Sequence, residues 1–210
     1  MSFRIDEAVL DLNPRVVKIE GDGKGPKIAG WPSIQTRAED WVKDNGGCLE
    51  FDSPIVHRYG IIIDPDMLVV DVDVHDADKN GYAALEEIKL TYGLDLYADA
   101  NFVVESPSGG CHLFFKKDKN VKFPKSLADY AGLDFLTTGA QVIGAGSTHT
   151  SGGTYKVLRS GPLKQADARL VDILVPKAKR QQPVHVDADV YDSMKPTGLS
   201  PLDEFNGTTK

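Results

Sequence analysis

The run Met-Leu-Val-Val-Asp-Val-Asp-Val at Met67–Val74 sets the tightest limit on how this chain can fold. Its β-branched, apolar composition is that of a strand, yet two aspartates interrupt it. Side chains alternate along a strand, so Asp71 and Asp73 share one face, about 6.5–7 Å apart. Val70, Val72 and Val74 take the other. Burying two like charges side by side costs several kcal/mol unless something cationic offsets them. Two divalent metals about 3.5–4 Å apart would do so, and such pairs serve in-line phosphoryl chemistry. A solvent-facing edge strand carrying two ordinary acids fits the same dipeptide.

The 210 residues suit one domain with an appendage. The opening is irregular, and the glycine-rich loop Gly21–Lys27 lacks the spacing of a P-loop. Thr36-Arg37-Ala38-Glu39 is a capping box that starts a helix through about Lys43, and Asn45-Gly46-Gly47 ends it. Arg58–Ile63 and Met67–Val74 read as a hairpin across Asp64-Pro65-Asp66. The spacing of Tyr82, Leu85, Ile88 and Tyr92 predicts a helix stopped by Gly93. Strands follow at Phe102–Glu105, His112–Lys116, Asp134–Leu136, Ala140–Ile143 and Thr154–Leu158, then a helix over Ala166–Leu174. Interspersed strands and helices give an α/β or α+β class with a mixed sheet. Beyond Pro176 the sequence turns basic, polar and proline-rich. The expected division is a domain over 1–176 and a linker over 177–210 toward a possible following module.

The net charge of −7 argues against a broadly basic nucleic-acid coat. The acidity is local, however: Asp64–Glu105 carries eleven acids against Lys79 and Lys89, leaving the remainder slightly basic. A concentrated acidic site in mildly basic surroundings suits a protein whose contact with phosphates is mediated by metal ions. Lys116, Lys117, Lys119, Lys122 and Lys125 against Asp118 form the most basic window. It is a candidate DNA-binding surface or a solvated charged loop. Two cysteines exclude a disulfide framework and a four-cysteine zinc site, and suit a cytoplasmic protein. No apolar run approaches the roughly 20 residues of a membrane span, and Met1–Leu12 lacks the order of a signal peptide.

Two further elements carry chemistry. In Ser108-Gly109-Gly110-Cys111-His112, two glycines let a backbone approach a ligand, Ser108 offers a hydroxyl, and His112 can donate to a phosphate oxygen. A tight turn before a half-buried histidine is the plainer reading. Asp134, alone between Leu133 and Phe135, is a candidate third metal carboxylate. Separately, Asp76-Ala77-Asp78-Lys79-Asn80-Gly81 followed by Glu87 satisfies a calcium-loop pattern. A Val-rich strand precedes it instead of a helix, Ala83 fills its eighth position, and no second loop is present. A polar turn, with Asp76 or Asp78 capping the next helix, is the competing reading.

The order of these elements is more specific than any one of them. Asp-x-Asp on a strand precedes Ser-Gly-Gly-x-His before a strand, then the isolated Asp134, then Gly144-Ala145-Gly146-Ser147-Thr148-His149 and Gly153-Thr154-Tyr155. In this order the chain resembles the N-terminal domain of the bifunctional DNA primase/polymerases, in the archaeo-eukaryotic primase superfamily, over roughly Gly23–Tyr155. Lys24…Pro26…Gly30-Trp31 is similar to the family's entry segment, with Lys24 or Lys27 as the lysine counterpart. The resemblance implies an RRM-like core with flanking helices. It also implies primer synthesis from NTP or dNTP on a DNA template, by a two-metal mechanism, in phage, plasmid or mobile-element replication. Asp71, Asp73 and Asp134 would bind Mg²⁺ or Mn²⁺. Ser108 and His112 would touch the incoming triphosphate, with Gly109 and Gly110 giving backbone approach. Ser147, His149 and Lys27 would be further nucleotide contacts. The tail Pro201–Asn206 looks like a junction to a helical or helicase module. A non-catalytic nucleic-acid-binding module, or a calcium-binding interaction module, are the alternatives.

Overall fold

The computed structural model describes residues 2–21, 23, 25–76, 79–125 and 129–174. The expected linker over 177–210, with its Pro201–Asn206 junction, lies outside the described residues, as do Lys24, Ala77 and Asp78.

The chain begins with strand β1 (Ser2–Arg4), helix α1 (Glu7–Leu12) and strand β2 (Arg15–Glu20). A 3-10 turn at Trp31–Ser33 leads to α2 (Ala38–Asp44), β3 (Glu50–Asp52) and β4 (Val56–Ile62). Next come β5 (Met67–Val72), the ribbon β6 (Val74–Asp76) and β7 (Lys79–Asn80), then α3 (Gly81–Tyr92) and α4 (Leu96–Asp99). β8 (Phe102–Glu105), β9 (Cys111–Lys116), β10 (Leu133–Leu136), β11 (Gln141–Ile143), β12 (Lys156–Arg159) and α5 (Arg169–Leu174) complete it. No helix among the described residues is long and apolar enough to cross a membrane.

Two sheets carry the α+β fold. The first has the order β10-β5-β9-β8-β12, the second β11-β4-β2. Within the first, β5-α3-β8-β9-β10 forms the split β-α-β arrangement of an RRM-like core, with each strand antiparallel to its neighbours. The expectation of a mixed sheet is corrected in this respect. Every described ladder is antiparallel, and parallel pairing is limited to the bridge between Lys116 and Gln165.

Alternation along the strands sorts the core into two layers. Leu68, Val70 and Val72 of β5, Leu113 and Phe115 of β9, and Leu133 and Phe135 of β10 face Tyr82, Leu85 and Ile88 of α3. Met67, Val69, Phe114, Val104 and Leu136 take the opposite face and meet Val16, Ile19, Ile61 and Ile143 of the second sheet. Asp71, His112 and Asp134 share the parity of this second group. They lie on the face that looks toward the other sheet. Helix α3 matches its predicted span, with Gly93 as a left-handed C-cap. Its N-cap is Asn80, whose side chain accepts from the Tyr82 and Ala83 amides, and the cap is thus neither Asp76 nor Asp78.

Three expectations are corrected. The opening is ordered; its elements are 3 to 6 residues long, too short for periodicity to register. Helix α2 starts one residue later than the Thr36 box implies, because Asp40 accepts from the Arg37 amide while Glu39 is engaged by Asn13. The hairpin does not form. β4 pairs with β2 and β11, whereas β5 pairs with β9 and β10. β5 carries apolar residues on both faces, as a strand with a core layer on each side must. At the crossover, Asp64 accepts from Arg15 Nε and, at 2.7 Å, from Arg37 Nη1. Arg15 is 5% exposed and also donates to the carbonyls of Pro32, Ile34 and Ile63.

Removing one member of a buried ion pair strands the other. Asp64→Ala is therefore expected to lower unfolding free energy by about 3 kcal/mol in urea titration, with Asp66→Ala, exposed at the same turn, as the near-neutral comparison.

Candidate active site

The first sheet brings distant residues into one row. Asp134 of β10 pairs with Asp71 of β5, Asp71 pairs with His112 of β9, and His112 pairs with Val104 of β8. Directly paired antiparallel residues have Cα atoms about 4.5–5.5 Å apart, close enough for two carboxylates to repel strongly. Asp73 lies one residue beyond the end of β5. Its amide donates to the Gly132 carbonyl at 2.8 Å, and its carbonyl accepts from the Gly81 amide at 2.9 Å. This clamp needs both glycines. A Cβ on Gly132 would meet the Gly81 nitrogen at 2.5 Å, and one on Gly81 would meet the Gly132 oxygen at 2.5 Å. Gly132 also has a φ of +86°.

Asp71, Asp73 and Asp134 open into a cleft of about 230 Å³ between the two sheets. Ser106, Ser108, His112, His149 and Tyr155 line it from one side, Gln141, Val142 and Ile143 of β11 from the other. Lys125 is also at its edge. Burial, opposed by Lys125 and reinforced by the charge of Asp73, raises the carboxyl pKa of Asp134. Among the described residues the acids converge on the cleft without being closed into a metal cage. The donor set is oxygen-rich and hard, which fits Mg²⁺ or Mn²⁺ and does not fit a thiophilic metal.

His112 is 6% exposed, and burial pushes its pKa down to about 4. It is a neutral imidazole, so its 3.5 Å approach to Asp71 through Nε2 is no ion pair. Its Nδ1 is buried without a hydrogen-bond partner. The ring stacks on Tyr155 at 5.8 Å between centroids and 24° between planes. Burial, with help from Asp71 and Asp73 and against Arg58, pushes the Tyr155 hydroxyl up to about 12, so it stays protonated. His149, whose ring is tilted against Tyr155 at 5.9 Å between centroids, has an Nδ1 that accepts from the Ser151 amide at 3.1 Å. A ring nitrogen that accepts carries no proton, so the ring N–H is at Nε2.

Several expected contacts are elsewhere. Ser147 is fully buried, and its Oγ accepts from the Tyr59 amide at 3.1 Å, so it supports β4 and does not line the cleft. Gly109 occupies the turn position at φ +86°, and Gly110 approaches a backbone instead of a ligand: its Cβ would lie 2.1 Å from the Val72 carbonyl oxygen. Lys117 is buried, and its ammonium donates to the carbonyls of Asp118 and Val121, so it offers no surface to DNA. Lys116 is exposed at the far end of β9, about 13 Å along the strand from His112. Lys119 and Lys122 are exposed on the following loop, and Lys27 is exposed on the loop before Trp31 without lining the cleft. The residues missed from sequence are Ser106, Gln141 and Tyr155, with the Gly81–Gly132 clamp, while Lys125, expected as a DNA-binding lysine, lines the cleft. Of these, Tyr155 had a signal, in the Gly-x-Tyr that follows the Ser-x-His element.

The family model for the N-terminal domain of bifunctional DNA primase/polymerases matches residues 7–169. No curated protein matches the chain.

Ser147→Ala is expected to cost about 1–3 kcal/mol of stability, by leaving the Tyr59 amide unpaired, while nucleotide affinity stays at the wild-type value. Gly132→Ala, forced to keep a positive φ against a backbone nitrogen, is expected to destabilise by more than about 1 kcal/mol and to displace Asp73. Chemical denaturation and a crystal structure of the variant check these outcomes.

Proposed function

Because the chain belongs to the N-terminal family of bifunctional DNA primase/polymerases, we propose that it is a template-dependent nucleotidyltransferase. It makes and extends primers from NTP or dNTP in the cytoplasm, during replication of a phage, plasmid or other mobile element. The catalytic domain in this reading covers about residues 1–176, with a linker after it. DNA and nucleotides are the substrates that the family implies. The observation that supports catalysis is the convergence of Asp71, Asp73 and Asp134, up to 63 positions apart in sequence, beside His112.

Asp71, Asp73 and Asp134 would hold Mg²⁺ or Mn²⁺, whose chemistry is to acidify the attacking 3′-hydroxyl and stabilise charge on the α-phosphate and the leaving pyrophosphate. The chain's own residues supply orientation. His112, neutral and fixed by its stack on Tyr155, donates an N–H to a phosphate oxygen. It adds no charge that would compete for the carboxylates. The Ser106 and Ser108 hydroxyls, 2.9 Å apart, and His149 offer further donors at the cleft wall. Lys125 offsets part of the triphosphate charge. Val142 and Ile143 exclude water from the opposite side. The attacking group is the primer's own hydroxyl, so no protein nucleophile is required. Of the basic window, Lys116, Lys119 and Lys122 are candidates for DNA phosphates, and Lys27, exposed on the loop before Trp31, is a candidate nucleotide contact.

Asp73→Asn and Asp134→Asn are expected to cut nucleotide incorporation at least 100-fold, since loss of even a supporting group at a metal site costs about 10–100-fold. EDTA should do the same to the wild-type protein, with recovery on adding Mn²⁺. Extension of a labelled primer on a single-stranded template measures both; wild-type rates in Asp73→Asn would sink the reading.

A further inference from the structure

A second depression adjoins the cleft and has a different chemistry. It encloses about 470 Å³ and shares Lys125, Leu136 and Gln141 with the cleft, so the two are continuous. Trp31, Phe123 and Pro26 form apolar walls, and Thr137 and Thr138 add hydroxyls. No carboxylate lines it among the described residues, whereas three line the cleft. The change occurs at Lys125, the cation at the junction.

Trp31 is half-buried and has no aromatic ring against it among the described residues. The chain's other tryptophan, Trp41, is packed with Phe3, Phe51 and Tyr59. An indole left open along a groove is nonetheless held in place. Gly30 turns the chain at φ +72°, Trp31 opens the 3-10 turn, and just after it Arg15 Nη1 donates to the carbonyls of Pro32 and Ile34 at 2.9 and 3.2 Å. Arg15 is itself fixed by Asp64. The backbone that carries the platform is therefore tied to the ion-pair cluster at Asp64, and a platform held in place costs less to order on binding.

We propose that this groove binds the unpaired bases of a single-stranded nucleic acid running out of the cleft, with Trp31 as the stacking platform. The proposal rests on the polymerase reading of the cleft, and adds where the strand lies. An apolar, aromatic, acid-free groove accepts the faces of bases of any sequence, because every base has a π-face. Lys125, which lines both depressions, marks where the strand passes from the carboxylates into the groove. Arg15 is a positioning residue for Trp31 and touches no strand.

The test is fluorescence anisotropy of the full chain in EDTA, which removes metals from the measurement. The two probes are a labelled oligo-dT and an abasic strand of the same length and charge. The wild-type protein is expected to prefer oligo-dT by about thirtyfold, the middle of the range for stacking one base. Trp31→Ala should abolish the preference and Trp31→Phe should retain most of it. A preference that persists in Trp31→Ala overturns the proposal. If Trp31→Ala does not fold, Thr138→Glu, at an exposed position in the groove, should weaken oligo-dT binding several-fold at low salt; unchanged binding overturns the proposal. If Trp31→Ala weakens binding of a free nucleoside triphosphate and leaves oligo-dT untouched, the groove takes the incoming base and the strand assignment is overturned. A Trp31-dependent preference in a protein that extends no primer would support the groove and sink the catalytic reading. Primer extension with Trp31-independent binding would sink the groove alone.

Discussion

Carboxylates set opposite one another on a sheet repel, and this fold brings Asp71 and Asp134 into direct cross-strand register with Asp73 beside them. Lys125 is the cation that lines the same cleft among the described residues. The sheet keeps the acids together because the other face of the same strands is committed to the helix-side core. Val70 and Val72 cannot leave it without moving Asp71, and Leu133 and Phe135 fix Asp134 in the same way. Burial of the neighbours thus sustains a charge arrangement that a divalent cation would relieve. Backbone geometry does the rest, because Asp73 is held by two carbonyl–amide contacts that only a pair of glycines can make this close.

The second determinant is the separation of the two sheets. The chain leaves β4 for β5 at Asp64-Pro65-Asp66, and Arg15 and Arg37 grip Asp64 there. The same Arg15 ties down the Trp31 turn. One ion-pair cluster therefore sets both the opening in which the acids face β11 and the wall of the adjoining groove. Buried pairs of this kind add little net stability against an apolar alternative, and their use here is to fix geometry.

The legible parts of the sequence were those whose signal is local. Alternation in Met67–Val74 placed Asp71 and Asp73 on one face. The Tyr82, Leu85, Ile88 spacing gave α3, and Gly93 gave its end. The family resemblance, with motifs in order along the chain, singled out Asp134 and His112. The misread parts depend on partners distant in sequence. Ser147 looked like a ligand group until Tyr59, 88 positions away, took its hydroxyl. Lys117 looked like a surface cation, though its ammonium folds back onto its own loop. Gly110 makes room for a neighbouring strand, and no local pattern distinguishes that from room for a ligand.

The amino-acid order by itself determined the elements that bear the chemistry: an apolar strand with two acids on one side, a glycine turn ahead of a histidine, a lone aspartate between two large apolar residues. Periodicity encodes these because each strand carries its own two-residue alternation. Only the tertiary structure decided that Asp134 stands opposite Asp71 and that β4 and β5 belong to different sheets. It alone brought Tyr155, Lys125 and Gln141 to the same cleft. Register between strands is chosen by which neighbours bury their apolar faces together, and that choice is made across the whole molecule, not within any one segment.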